Sequence, residues 1–121
     1  MHVEVATESR VEQIVRLAQL SMTSERDGDI HVLGLTGEID LANAAVVEDE
    51  LRRIEETDAA VILVDLAGVS FIDSTGIKVL IGAAARSQSR NRLVLDAPSP
   101  TVLRVLRIAG VADLLPLVGS V

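Results

Sequence analysis

The fold of this 121-residue chain is decided by residues 61–76, which read VILVDLAGVSFIDSTG. The first six residues form an almost continuous apolar run, which is typical of a central strand buried on both faces. Asp65 near its end is expected to be hydrogen-bonded, because a lone buried charge is costly. After a predicted loop, Asp73 or Ser74 caps a helix and Gly76 allows close packing. The predicted apolar face of this helix comprises Ile77, Leu80, Ile81, Ala84 and Ala85.

Two more helices are predicted around this stretch. Upstream, apolar residues recur at helical spacing after Asp40, whose carboxylate suits the N-cap position; they are Ala44, Val47, Leu51 and Ile54. Downstream, a strand over 93–95 precedes a helix with Ser99 as N-cap, Pro100 in its first turn and a glycine beyond its end. A last edge strand is expected over 114–118, where a proline suits an edge better than the middle of a sheet.

An antiparallel hairpin is predicted before the first of these helices. Asp27-Gly28 is a turn signal that separates two predicted strands over 21–26 and 30–36. His31 is interpreted as a strand residue at the boundary of solvent and core rather than as a ligand, since no second His or Cys lies nearby in sequence.

The N-terminal segment has a different pattern. Ser9 and Glu12 are spaced as a capping box, and apolar residues follow at helical spacing, which predicts a short amphipathic helix over 9–20. The domain organisation predicted from this pattern is an N-terminal extension over 1–20 and one domain over 21–121.

The order of elements predicts an α/β fold. Strands alternate with helices in the second half, so those strands are expected to be parallel with right-handed crossovers. The opening hairpin makes the sheet mixed. We therefore expect an α/β sandwich with a mixed, mostly parallel sheet of about four to five strands and helices packed mainly on one face.

Composition excludes several classes of protein. Aromatic residues make up 1% of the chain and the net charge is −7, which argue against nucleic-acid binding. The chain has no cysteine, hence no disulfide or thiolate metal site. No apolar run reaches the length of a membrane span, and the first residues, Met1-His2-Val3-Glu4, lack the basic segment and apolar stretch of a signal peptide. No membrane insertion and a cytoplasmic location are therefore expected.

The charge is distributed unevenly. Residues 1–60 carry fourteen acidic and five basic residues, whereas residues 61–121 carry four and six. This bias indicates either a solvated acidic face or a docking surface for a basic partner.

An enzyme is not expected. The nucleophile elbow G-x-S-x-G and the phosphate-binding loop G-x-x-x-x-G-K-[ST] are both absent. The only imidazoles belong to His2 and His31, and neither lies in a telling position. No catalytic residue, metal ligand or cofactor is predicted.

The turn at Asp73-Ser74-Thr75-Gly76 permits two interpretations. One is ordinary helix capping. The other is a phosphorylation site, because a phosphoryl group at a helix N-terminus is favoured by the helix dipole within the protein but repels acids in a packed interface.

Three segments of the chain resemble the STAS domain of bacterial anti-sigma factor antagonists. They are Gly37-Glu38-Ile39-Asp40, the run over 64–76 and Ala109-Gly110-Val111, and the resemblance spans roughly residues 21–118. The D-S-T-G block with G-E-I-D upstream at this separation is much more specific than either motif alone.

The resemblance implies a partner switch in bacterial stress-response transcription. Such proteins bind an anti-sigma factor with a histidine-kinase-like ATPase fold and so free the sigma factor. The anti-sigma factor phosphorylates the serine of the block, the phosphorylated antagonist dissociates, and a metal-dependent serine phosphatase restores it. The phosphoacceptor carried over to this chain is Ser74. The implied partner-binding residues are Asp40, Asp73, Ser74, Thr75, Gly76, Ile77 and Lys78.

This chain departs from the family pattern in three places. Lys78 stands where many relatives have a small residue. The chain has an extra segment of some twenty residues at its start, and it stops near Val121, where relatives usually continue into a last helix. One hypothesis is that the helix predicted over 9–20 covers the surface on which the last helix of the relatives would lie. The alternative function is a STAS scaffold, or a small STAS subunit of a signalling complex or lipid transporter, without a phosphoswitch.

Overall fold

Six strands lie side by side in chain order. The computed structural model describes residues 9–119. The strands are β1 (Ser9–Leu17), β2 (Leu20–Asp27), β3 (Ile30–Ile39), β4 (Val61–Ile72), β5 (Leu93–Asp96) and β6 (Leu117–Val118). The helices are α1 (Ala44–Glu55), α2 (Ser74–Arg86) and α3 (Pro100–Ile108), and a 3-10 turn, Ala112–Leu114, precedes β6. The predicted α/β class and mixed sheet are confirmed, with six strands instead of four or five.

Strand direction changes at β3. The pairs β1–β2 and β2–β3 are antiparallel, whereas β3–β4, β4–β5 and β5–β6 are parallel. The predicted hairpin is present, with Asp27 opposite Ile30 and Gly28 at a φ of 61° in the turn between them. The parallel pairs follow helical crossovers, which bring the ends of β3 and β4 to one edge of the sheet.

One face of the sheet packs against the helices. On β4, Ile62, Val64 and Leu66 are fully buried, while Val61 and Leu63 are only half-buried. Buried apolar side chains from all three helices belong to the same hydrophobic core as this face. The prediction of a strand buried on both faces is therefore wrong: the strand is central, but its side chains alternate between the core and a more open face.

Strand β4 is also longer than predicted. The expected loop continues as strand to Ile72, paired with β3 through two irregularities in register. Asp65 is hydrogen-bonded as expected, since its Oδ1 accepts from the Ala67 amide at 2.9 Å.

The helix predicted over 9–20 is wrong. Residues Ser9–Leu17 form β1, which pairs with the edge of β2 and has a bulge between Val11 and Gln13. Local spacing fits either element, but the free backbone groups of β2 offer hydrogen bonds that only a strand can use. Residues 1–8 lie outside the described residues, and the division of the chain at residue 20 stays a prediction.

The start of α1 also differs from the prediction. The N-cap residue is Asn43, not Asp40, and Asp40 builds the preceding turn instead. Its carboxylate accepts from the Ala42 amide at 3.0 Å, while its backbone oxygen accepts from the Ala44 amide at 2.8 Å. Asn43 is buried and donates from its side chain to the Glu38 carbonyl at 2.9 Å. Asp40 therefore caps the turn that leads into α1, and Asn43 is the N-cap residue of the helix itself.

The C-terminal elements follow the sequence pattern more closely. Ser99 caps α3, with its hydroxyl accepting from the Val102 amide at 3.2 Å, and Pro100 opens the helix. The edge strand β6 comprises only Leu117–Val118 of the stretch predicted. Among residues 9–119, no helix is long and apolar enough to cross a membrane.

Candidate functional site

Asp73 organises the turn between β4 and α2. Its Oδ1 accepts hydrogen bonds from the Thr75 and Gly76 amides at 2.9 and 3.0 Å, and the Thr75 hydroxyl also donates to it. These donors hold the pKa of Asp73 below its ordinary value, the Thr75 hydroxyl most of all. An ionised carboxylate at this position satisfies the orphan amides of the first helical turn.

The same carboxylate joins two distant segments. Asp73 Oδ2 accepts from the Leu41 amide at 3.1 Å, across 32 residues of sequence. The Asp73 amide in turn donates to the Ile39 carbonyl at 3.1 Å. The loop that contains Asp40 is therefore fastened to the start of α2, which brings both predicted segments to one edge of the sheet.

Gly76 and Ile77 face inward. A Cβ atom on Gly76 would stand 2.6 Å from Ile72 Cγ1 and 2.9 Å from Ile39 Cγ2, so only glycine fits without displacing its neighbours. Ile77 belongs to the hydrophobic core. These two predicted partner-binding residues position α2 against the sheet and are not on the surface.

Ser74 and Lys78 are both exposed on α2. Ser74 is the first residue of the helix, and in the described part of the chain its hydroxyl makes no hydrogen bond. Capping is thus performed by Asp73, and the Ser74 side chain is left free. A hydroxyl at this point can accept an anionic group, because the helix N-terminus is electropositive.

Two exposed apolar residues lie beside this turn, and the sequence analysis missed both. Leu41 is 78% exposed and Phe71, at the end of β4, is 45% exposed. Leu41 also lines a shallow groove of about 310 Å³ between α1 and α2, together with Glu48, Thr75 and Lys78. We call these residues with Asp40, Phe71, Asp73 and Ser74 the α2 face. Nothing in the local sequence marks the two apolar residues as exposed, since each stands among other apolar residues.

Comparison with protein families decides the family. The sequence pattern of the STAS domain matches residues 21–121. The chain belongs to the STAS-domain family. An anti-sigma-B factor antagonist of Listeria monocytogenes is 35% identical over 92 residues, which cover 75% of this chain and 81% of that protein. The family resemblance of the sequence motifs is thereby confirmed.

Solved structures share the fold of this STAS domain. An anti-sigma factor antagonist from Mycobacterium paratuberculosis matches 81% of this chain and 84% of its own, with a TM-score of 0.73 and 22% identity. The anti-sigma factor antagonist SpoIIAA in its unphosphorylated form matches 90% and 87%, with a TM-score of 0.63 and 21% identity. The phosphorylated form of the Bacillus protein SpoIIAA gives 0.59 at 20% identity, with 90% of each chain covered.

A second polar cluster lies between β1 and α1. His31 is fully buried, so its expected place at the solvent boundary is wrong. Its Nε2 lies 2.6 Å from Ser24 Oγ, with which it shares a hydrogen bond, and 3.9 Å from Glu12 Oε1. Arg53 donates to Glu50 at 2.6 and 2.9 Å and to Glu12 at 2.9 Å. We call these five residues the β1 cluster.

The pKa shifts in the β1 cluster reflect burial and pairing. Burial lowers the pKa of His31, with Glu12 acting in the opposite sense. Burial alone would raise the pKa of Glu50, but Arg53 and Ser24 beside it bring the pKa below its ordinary value. Hydrogen bonds to Glu50 and Glu12 raise the pKa of Arg53. In residues 9–119, no group of three or more His, Asp or Glu is placed to hold a metal ion.

Three acids of α1 are paired with arginines: Glu48 with Arg52, Glu50 with Arg53 and Glu55 with Arg86. Part of the acidic excess in the first half of the sequence is therefore neutralised by ion pairs within the protein. Asp49 on α1 and Glu56, the residue that follows this helix, are exposed.

Proposed function

We propose that this protein is an anti-sigma factor antagonist that binds a kinase-type anti-sigma factor and is switched off by phosphorylation of Ser74. The observation that carries the proposal is the exposed and unbonded hydroxyl of Ser74 beside the Asp73 cap. A structural serine at a helix start uses its oxygen to cap the backbone. Here Asp73 has that role, which leaves the serine free for chemistry.

The names of the related proteins support the same function. The Listeria relative is named an anti-sigma-B factor antagonist, and SpoIIAA exists in unphosphorylated and phosphorylated forms. By analogy, this protein would bind an anti-sigma factor with a histidine-kinase-like ATPase fold, and a serine phosphatase would restore the free form. This function places the protein in the bacterial cytoplasm.

The proposed docking surface is the α2 face. Leu41 and Phe71 supply exposed apolar area, which is the component of an interface that gains most from leaving water. Asp40, Thr75 and Lys78 supply polar contacts around it. Gly76 and Ile77 contribute by holding the helix in place from below.

Phosphorylation of Ser74 would change this surface without disturbing the fold. The side chain is exposed, and the helix N-terminus favours an anion. The phosphoryl group adds a charge of about −1.5 to −2 beside Asp40 and Asp73. In a packed interface that charge must lose its water, and it repels acids of either partner. The expected result is dissociation.

The test is the affinity for a kinase-fold anti-sigma factor encoded in the same genome, measured by calorimetry. Ser74→Ala is expected to bind like the unphosphorylated protein, whereas Ser74→Asp and phosphoserine at position 74 weaken binding at least tenfold. Ser89→Asp is the matched control, because Ser89 is an exposed serine beyond the other end of α2. All variants should keep the unfolding temperature of the wild type.

Equal affinity of the wild-type, Ser74→Asp and phosphoserine proteins would contradict the switch. A partner held equally by all forms would instead favour a scaffold or a transporter subunit. If Ser89→Asp weakened binding as strongly as Ser74→Asp, net charge rather than position 74 would control the interface.

A further inference from the structure

Lys78 is the only lysine of the chain and lies four residues after Ser74 on α2. Side chains four residues apart are neighbours on a helix, with Cβ atoms roughly 5–6 Å apart. Each Cα–Cβ bond in a helix tilts toward the N-terminus, so a long side chain covers the turn that precedes it. The ammonium group of Lys78 is therefore within reach of a group carried by Ser74.

The acids around Lys78 already have partners. Asp73 accepts the amides of the cap and of Leu41, and Asp40 accepts the Ala42 amide. Across the groove, Glu48 Oε2 accepts from Arg52 at 3.1 and 3.2 Å.

Arg86 is a second cation beside Glu48, since its Nη1 lies 3.8 Å from Glu48 Oε2. Within the described residues, Lys78 makes no ion pair of its own. The free ammonium and the free hydroxyl of Ser74 are thus the two groups of this helix turn without a partner.

We propose that Lys78 is the intramolecular partner of the phosphate on Ser74 and holds it against the first turn of α2. The proposal rests on the proposed function, because it assumes that Ser74 is phosphorylated. An anion followed four residues later by a cation is the favourable order on a helix. A charge-assisted hydrogen bond from the ammonium to a phosphate oxygen is stronger than one between neutral groups.

The pairing has a consequence for the α2 face. In the unphosphorylated protein, Lys78 is a free cation on the groove between α1 and α2. In the phosphorylated protein, the same cation is engaged by the phosphate. Phosphorylation therefore adds negative charge and at the same time withdraws the one lysine from a docking partner.

The experiment is a phosphorus-31 NMR titration of the full chain with phosphoserine introduced at position 74 during translation. The second ionisation of a phosphoserine lies near pH 6. With Lys78 present, it is expected roughly 0.3 pH units lower than in Lys78→Met, because the dianion gains most from the ammonium. Lys78→Arg should restore most of the shift, and salt should reduce it.

Arg90→Met is the matched control. It removes the same charge from an exposed residue beyond the other end of α2 and should titrate like the wild type. Identical titrations of the wild type and Lys78→Met would overturn the pairing, as would an equal change in Arg90→Met. Circular dichroism of the unphosphorylated variants checks the fold. The titration needs no partner, so its failure leaves the binding test of the proposed function untouched.

Discussion

The β1 cluster and the α2 face are both rich in polar groups, but they use them in opposite ways. In the β1 cluster, Glu50 is 5% exposed and is held by two hydrogen bonds from Arg53. Of the buried side-chain nitrogen and oxygen atoms in the described residues, only His31 Nδ1 has no hydrogen-bond partner. On the α2 face, the carboxylates of Asp73 and Asp40 accept hydrogen bonds from the backbone, whereas the side chains of Ser74 and Lys78 are left free.

The difference separates polar groups that stabilise the fold from polar groups that are available to a partner. A buried polar group must be paired inside the protein, because leaving it unpaired costs about 1–3 kcal/mol. An exposed group has water as its partner and can exchange it for another molecule at little cost. We therefore expect substitutions in the β1 cluster to change stability and substitutions at Ser74 and Lys78 to change binding.

The largest effect is expected from Arg53→Met. This substitution leaves the buried Glu50 without its cation and also breaks the bond to β1 through Glu12. We expect a loss of roughly 2–3 kcal/mol, below the ~3–5 kcal/mol of a fully buried pair because the Arg53 side chain is 40% exposed. Urea unfolding followed by circular dichroism measures the loss.

Arg52→Met is the control for that experiment. Arg52 stands next to Arg53 in sequence but pairs with Glu48 at the surface, so the expected loss is at most about 0.5 kcal/mol. Equal losses from both substitutions would show that the β1 cluster is no more important for stability than a surface pair.

The next effect concerns Asp73, the carboxylate of the α2 face that caps α2. Asp73→Ala removes the cap of α2 and the link to Leu41, with an expected loss of about 1–2 kcal/mol. Asp73→Asn should retain most of the stability, since asparagine caps helices about as well as aspartate. Thermal unfolding distinguishes them. If Asp73→Ala were as stable as the wild type, Asp73 would contribute no more to stability than the exposed side chains of Ser74 and Lys78.

The smallest effect is expected from pH. Burial lowers the pKa of His31 below 6.5. The positive charges of Arg53 and Arg26 also lower this pKa, whereas the negative charges of Glu12 and Glu50 raise it. The unfolded chain then binds a proton at this residue more readily than the folded protein does. The stability that neutral His31 contributes is fully present above about pH 6.5, and it is lost as the pH falls toward the pKa of His31 in the folded protein.

The measurement compares unfolding midpoints of the wild type and His31→Gln between pH 7.5 and 5. The wild type should lose more stability on acidification than the variant, because glutamine does not titrate. Parallel pH curves would show that His31 binds protons equally in both states. The protonation of His31 would then contribute nothing to the pH dependence of the stability.

The predictable parts of the fold are those with local signals. The Asp27-Gly28 turn, a helix cap at Asp73 or Ser74 and the Ser99-Pro100 start of α3 each depend on residues within a few positions, and each is present. The helix predicted over 9–20 is wrong because its apolar spacing suits a strand as well, and the choice is made by the edge of β2.

The candidate site shows the same division. The motif predicts a turn with a serine at the helix start, and the structure has that turn. Neither the exposure of Leu41 and Phe71 nor the burial of His31 has a local signal. The exposure of each side chain is determined by which distant segments of the chain pack over it, and the residues beside it in sequence do not reveal this.

By itself, the sequence determined the family, the α/β class and the identity of Ser74 as the candidate serine, since motif, periodicity and capping chemistry are properties of short segments. The tertiary structure decided that β1 joins the sheet, that Asp73 is the cap and that Lys78 and Ser74 are left without partners. The physical reason is that hydrogen-bond partners such as Asp73 and Leu41 are 32 residues apart in sequence. Only the folded chain determines which polar groups are satisfied and which remain free.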